Sequence, residues 1–362
     1  MKLWLLRYLS IIIFIFPTVA CAYFGDEFDL ALFPQGTKIM TGMQIGSAGM
    51  LDSKKISNIT TIEGLTNQEA FISISLNNQR NIGFSFKHGK TEVERSIQPK
   101  TLDTRAYNYR LWIGTDPWQK WQWRGYINHQ ATDKVKVQCY EMASRIIGGS
   151  CLDAEFTFLD PNRTNNDDGS LNTVPVLNTQ VIAKTIGIEF RRELIANKTM
   201  RLSSQVRLQR NHLKHDITSP LFSMRSPVFL DFILNGKPLK EIRDNFRQEL
   251  PQSDPWYEDN FSLGINTAHI FKEFISIGAG LAYTKITRSD YKESVGRKEI
   301  TNNLRFDLSM IWAFKENNAL FMRGFITTNN VLGYEPIAYN RRSSSQFDKE
   351  YGEIAIGILK FW

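Results

Sequence analysis

Seven arginines, Arg110, Arg124, Arg191, Arg201, Arg207, Arg305 and Arg323, recur at polar positions that alternate with apolar ones. A guanidinium is permanently charged, and its planar fork engages carboxylate or phosphate through two parallel N–H donors. Such a set lining one surface would hold or guide anions. Catalysis has a weaker claim. A hydrolytic Ser-His dyad needs a base within hydrogen-bond reach of its nucleophile, and none of the histidines, His88, His129, His212, His215 and His269, stands in a His-x-Ser arrangement on a strand. His212 and His215 sit close together, but two ligands without a nearby third fall short of a metal site. The acidic stretch from Asp160 to Asp168 lacks the spacing of an EF-hand loop and reads as solvated. The chain is therefore read as a non-enzyme without metal or cofactor; in a hydrolase, His129, His212 and His215 would be the first residues to test.

The elements that position these residues follow from the rest of the chain. It has 362 residues, a formal charge of +7 and 42% hydrophobic content, enough for one large domain or two small ones. Residues 1–22 carry Lys2 and Arg7 ahead of the apolar run LSIIIFIFPTVA, and Ala20-Cys21-Ala22 supplies small residues for cleavage. That is the pattern of a secretory signal peptide. Thr18-Val19-Ala20-Cys21 offers an alternative, a lipoprotein box with Cys21 as the first mature residue, although Thr18 stands where a larger apolar residue is usual. Cys139 and Cys151 form an even pair in an exported chain and are expected to be joined by a structural disulfide.

After the leader no run of 18 apolar residues follows, so no helix is expected to cross a membrane. Alternation with period two recurs instead. Met200, Leu202, Val206 and Leu208 share one face of a strand, and Arg201, Gln205, Arg207 and Gln209 the other. Twelve such stretches are expected near residues 37–49, 68–77, 81–91, 104–114, 119–130, 179–193, 199–213, 257–270, 274–288, 299–314, 318–328 and 349–362. Short polar turns alternate with long connections, of which 131–178 and 214–256 are the longest. A closed antiparallel transmembrane β-barrel has this asymmetry, with short periplasmic turns and longer external loops. Aromatics near strand ends, as in DPWQKWQW, Tyr107 with Tyr109, and Trp312 with Phe314, fit interfacial girdles. A soluble β-sandwich, the competing architecture, would not need them.

The last residues, EYGEIAIGILKFW, set Ile354, Ile356, Ile358 and Trp362 on one face. This resembles the C-terminal β-signal of bacterial outer-membrane proteins, a terminal aromatic preceded by alternating apolar residues. The resemblance covers the whole mature chain, from near Tyr23 to Trp362, and names no subfamily; porins, outer-membrane phospholipases, lipid A deacylases and autotransporter translocators all include barrels of this size. It implies a place in the bacterial outer membrane among its lipids, with Trp362 read by the barrel-assembly machinery. Lys360 departs from the pattern by sharing the lipid face, where its length lets it snorkel to the interface.

Strand parity then places Lys38, Lys87 and the seven arginines inside, against only Glu189, Asp307 and Glu353. The expected function is a porin-like channel for small anionic or polar solutes, anion-favouring through its arginines and with no role in nucleic-acid binding. A closed structural or surface-interaction barrel is the alternative, because small barrels are often filled by side chains. Ser276, Gly278, Gly280, Ala282 and Thr284 leave room along one strand and favour an open lumen. By the same parity His88 and His129 face lipid, and His269 falls at a turn. Residues 23–36 form an N-terminal segment, periplasmic or lumenal and too short for a passenger domain. Helix-period Leu239, Ile242 and Phe246 suggest a short cap within the loop 214–256.

Overall fold

The computed structural model describes residues 38–50, 60–76, 80–95, 98–115, 120–137, 158–159, 173–174, 177–218, 233–234, 237–238, 240–241, 244, 255–271, 274–289, 301–315, 317–328 and 351–362. Twelve long strands dominate. They are β1 (Ile39–Met50), β2 (Thr60–Leu76), β3 (Arg80–Arg95), β4 (Gln98–Thr115), β5 (Trp121–Thr132) and β6 (Leu177–Ala196). The second half of the chain supplies β7 (Met200–Thr218), β8 (Trp256–Phe271), β9 (Ile275–Ser289), β10 (Asn302–Lys315), β11 (Asn318–Thr327) and β12 (Tyr351–Phe361). Each pairs antiparallel with its sequence neighbours, and β12 returns to β1 with Met43 opposite Ile358. The sheet is a closed cylinder.

Alternation decides which way each side chain points, because successive residues of a strand face opposite sides. On the outside Met43, Ile45, Ile186 and Ile354 are 63%, 62%, 62% and 66% exposed. The apolar skin continues over every strand pair, with Leu111 and Ile113 on β4, Leu263 and Ile265 on β8, and Leu304, Phe306 and Leu308 on β10. So large an apolar surface cannot stay in water. It is the lipid-facing band of a transmembrane barrel, and the twelve-strand closed form is that of bacterial outer-membrane proteins. Trp121, Trp123, Trp312, Phe271, Phe274 and Trp362 ring the end with the short connections, the periplasmic end in such barrels.

All twelve expected strands are present, and several run further toward the external side than alternation indicated. β2 starts at Thr60, β4 at Gln98, and β7 continues to Thr218, into the stretch expected to be loop. Beyond the hydrocarbon a strand no longer needs an apolar face, so its alternation fades before its hydrogen bonding does. Val135–Val137 pairs onto the start of β6, and Phe158–Leu159 pairs with Thr173–Val174 within the first long connection. Lys240, Glu241 and Asp244 are helical, in the segment expected to form a cap; Leu239, Ile242 and Phe246 lie outside the described residues, as do residues 1–37, Cys139, Cys151 and the run from Asp160 to Asp168. At the β6–β7 turn the Asn197 side-chain oxygen accepts from the backbone N–H groups of Thr199 and Met200 at 2.9 and 2.7 Å.

Inside the cylinder, rings lie flat against bare backbone. Phe71 faces Gly42, Trp112 faces Gly83, Tyr126 faces Gly187 and Phe321 faces Gly357, each directly across a strand pair. A Cβ on Gly83 would overlap the Trp112 ring, and one on Gly187 the Tyr126 ring. Glycine in a strand forfeits packing of its own, and the neighbouring ring covers the gap. Gly83→Val should therefore overfill this layer and destabilise the barrel by about 1–3 kcal/mol, read by urea unfolding in lipid vesicles. Adding Trp112→Ala to Gly83→Val should recover part of that loss.

Candidate functional site

The lumen is layered along its axis. Met40, Phe71, Trp112, Tyr126, Ile311, Ala319, Phe321, Leu359 and Phe361 form one apolar cluster near the periplasmic ends of β10 to β12, β1, β2, β4 and β5. Each of these side chains is buried. Their strands alternate normally, so these rings occupy positions that alternation alone reads as polar and inward. Together they make an apolar floor.

Above the floor stand ion pairs. Lys87 Nζ meets Glu353 Oε2 at 2.7 Å, and Asn67 donates to the same oxygen at 3.2 Å. Arg323 reaches Glu69 at 2.9 Å, and Gln44 donates to that carboxylate at 2.5 Å. Both pairs reach across β1, whose inward Gly42 is covered by the Phe71 ring and whose Gly46 lies against Ala355. On β10 the Arg305 fork closes on Asp307, with Nε at 2.9 Å and Nη2 at 2.8 Å from Oδ1, while its carbon centre lies 3.9 Å from the Phe325 ring centroid. Arg207 contacts Glu189 at 3.0 Å, and Arg201 contacts Glu193 at 3.1 Å. Charges this deep are tolerated because each meets an opposite charge and hydrogen-bond donors or acceptors.

A polar chain climbs the opposite wall. Arg110 stacks on Tyr126 at 4.3 Å, and the Tyr126 hydroxyl donates to Gln209 at 2.8 Å. Gln209 donates to Asn211, and Asn211 and Asn260 donate to Glu258, which also accepts from Arg288 at 3.1 Å. The chain runs from the floor on β4 to the external ends of β8 and β9. Ser276, Gly278, Gly280, Ala282 and Thr284 line the inner side of β9 as expected, and all are buried.

All seven singled-out arginines lie on the inner face. The structure corrects their setting in one respect. Parity counting gave three inward acids; Glu69, Glu193 and Glu258 face inward as well, as does Arg288. Arg201, Arg207, Arg305 and Arg323 are thus held in ion pairs, and Arg191 donates to Ser203 at 3.0 Å. Lys38 sits exposed at the periplasmic rim, where its backbone N–H donates to the Trp362 carbonyl at 3.0 Å. Ile354, Ile356, Ile358 and Trp362 face outward, and Lys360 places its ammonium 3.8 Å from the Trp362 ring centroid.

Among the described side chains, the four histidines turn away from the lumen. His88 packs beside Tyr107 on the outer face, His129 is exposed there, and His212 stacks on Tyr257 at 4.9 Å. His269, expected at a turn, lies within β8 against Phe271. The side chain of His215 lies outside the described residues.

No protein-family model matches the chain, and no curated protein matches it. Solved structures do. The translocator domain of the autotransporter NalP from Neisseria meningitidis is similar over 90% of this chain and 89% of its own, with a TM-score of 0.51 at 9% identity. The Pseudomonas putida toluene transporter TodX aligns over 95% of each chain, with a TM-score of 0.42 at 9% identity. The KdgM porin, in complex with disordered oligogalacturonate, aligns over 89% of this chain and 99% of its own, with a TM-score of 0.34 at 6% identity. At 9% identity the likeness to the NalP translocator domain is one of fold.

The Lys87–Glu353 pair supplies a direct check on the charged layer. Lys87→Met leaves Glu353 buried without its cation and should cost about 3–5 kcal/mol, whereas Lys87→Met with Glu353→Leu should cost markedly less. A double-mutant cycle by urea unfolding in vesicles reads the difference.

Proposed function

We propose that this chain is a porin-like channel of the bacterial outer membrane that passes small polar solutes through a narrow lumen and favours anions. Charge imbalance inside the barrel carries the reading. Among the described residues the inner face holds Lys87, Arg110, Arg124, Arg191 and Arg201, with Arg207, Arg288, Arg305 and Arg323. Against these nine cations stand six acids, Glu69, Glu189, Glu193, Glu258, Asp307 and Glu353. In a low-dielectric cylinder an excess of fixed positive charge lowers the barrier for an anion and raises it for a cation. Arg110, Arg124 and Arg191, on adjacent strands β4 to β6, are the residues assigned to the anion path.

One observation favours the alternative of a closed barrel. Lys87, Glu69 and Asp307 are each only 5% exposed, and the apolar cluster lies at the periplasmic end of the lumen. On that reading the working surface is the outside of the barrel and its loops. The two readings part on conductance. Purified protein in planar bilayers should give small single-channel steps whose reversal potential in a KCl gradient shows chloride preference. Arg124→Gln with Arg191→Gln should reduce that preference several-fold, and Trp112→Ala with Phe321→Ala should raise the step size at least about two-fold. Absence of steps in both the native protein and the floor-opened variant would establish the closed barrel.

A further inference from the structure

The outer wall carries a feature that the lumen does not explain. A cavity of about 1140 Å³ lies along the wall across β3 to β9, lined chiefly by outward residues such as Leu111, Ile113, Ile127, Ile186, Ile188 and Phe261, and also by the inward Trp112, Tyr126, Gln209 and Asn260. Its size exceeds the roughly 300–1,000 Å³ of typical small-molecule sites. Gly125 faces this space from β5, between Ile113 and Ile188. A Cβ added there would come no nearer than 4.0 Å to any neighbour, the Ile113 carbonyl oxygen. The notch is open.

Cations mark the external border of this cavity. Arg210 and Lys285 line it, and Lys184 stands diagonal to Arg210 on the neighbouring strand. Arg210 pairs with Asp259 at 3.2 Å, with side chains 58% and 54% exposed, and also leans over Tyr257 at 5.2 Å. Lys214 faces Asp216 at 3.7 Å beyond it. Lys184 and Lys285 are exposed and make no hydrogen bond, ion pair or ring contact among the described residues. Across the external halves of β6 to β9, four outward cations therefore meet two outward acids among the described residues. From Ile275 to Lys285, and from Met200 to Arg210, is about one membrane-crossing strand length. The unmatched lysines thus stand at the headgroup level of the outer leaflet, where Tyr257 also sits.

We infer that this wall seats a phosphorylated membrane lipid, with its phosphate on Lys184, Arg210 and Lys285 and an acyl chain in the apolar cavity beside Gly125. Charge complementarity selects this occupant. A lysine facing hydrocarbon is costly unless its ammonium reaches an anion or water; a phosphate supplies that anion, and the same molecule's acyl chain fills the cavity. Asp259 holds Arg210 in place and leaves the two lysines to provide the excess positive charge. The inference is independent of whether the lumen conducts.

Native mass spectrometry of the full chain, folded in dodecylmaltoside micelles, tests it with four probes: diphosphorylated lipid A, phosphatidylglycerol, phosphatidylcholine and inorganic phosphate. One lipid should be retained, lipid A most strongly, phosphatidylglycerol less and phosphatidylcholine at background. Lys184→Glu with Lys285→Glu should lower lipid A retention at least about ten-fold, and Lys184→Arg with Lys285→Arg should preserve it. Gly125→Trp should abolish retention by filling the notch, while unchanged heat-modified gel mobility certifies that the barrel is folded. Equal retention of phosphatidylcholine, or retention unaffected by the charge reversals, overturns the assignment. So does full retention in the folded Gly125→Trp variant combined with displacement by millimolar phosphate, which would mark a site for free phosphate.

Discussion

Closure of the sheet is the constraint on which everything else in this barrel depends. In hydrocarbon each unpaired backbone N–H or C=O costs several kcal/mol, so a spanning sheet has to end where it began. The seam forms between β12 and β1. The Trp362 carbonyl accepts from Lys38 and Ile39 at 3.0 and 3.3 Å, and the Trp362 N–H donates back to the Ile39 carbonyl at 2.9 Å. The first and last strands are thus locked residue by residue, Met40 opposite Phe361 and Met50 opposite Tyr351. An aromatic ring at the very end of β12 fixes the seam at the membrane boundary as well, because Trp is most stable at that interface.

Closure forces a division between two faces, and the faces solve opposite problems. Outside, apolar side chains dissolve in lipid and need no partner. Inside, charged groups on the polar faces of the strands are buried and meet one another in ion pairs. Gly42, Gly83 and Gly187 let phenyl, indole and phenol rings lie along the wall, and the Lys87–Glu353 and Arg323–Glu69 pairs reach across β1 beside them. Burial of these pairs adds little net stability, since desolvation offsets most of the attraction. Their effect is positional: each ties strands on one side of the β12–β1 seam to strands on the other.

Much of this was legible in the sequence because the code for a barrel strand is local. Period-two alternation needs only the next few residues, so Met200 to Leu208 announces both its strand and its lipid face, and parity then assigns Arg207 to the interior. The ion pairs are a different matter. Lys87 and Glu353 are 266 residues apart, and Arg323 and Glu69 are 254 apart; only closure brings them together, and no local pattern encodes it. Glu69 and Glu258 sat at parity positions that sequence reasoning could have assigned, and counting them would have tempered the expected charge excess. The apolar floor was hidden for another reason. Phe71, Trp112, Tyr126 and Phe321 occupy nominally polar positions, and each makes sense only beside a glycine on the adjacent strand. Searching for aromatics that break the polar face opposite a glycine would have found them.

A count of basic residues says little about what this barrel does until each is placed. Arg305 is almost wholly engaged by Asp307 and the Phe325 ring and chiefly braces β10 against β11. Arg110, stacked on Tyr126, is bound into a polar chain that runs the height of the wall. Lys285 and Lys184 carry equal charge but face the membrane side, where the lipid phosphate proposed above would be their counterion. Neighbours thus decide what one formal charge can do. Sheet closure decides which neighbours each residue has, so the seam at Trp362 governs the charge chemistry of both faces.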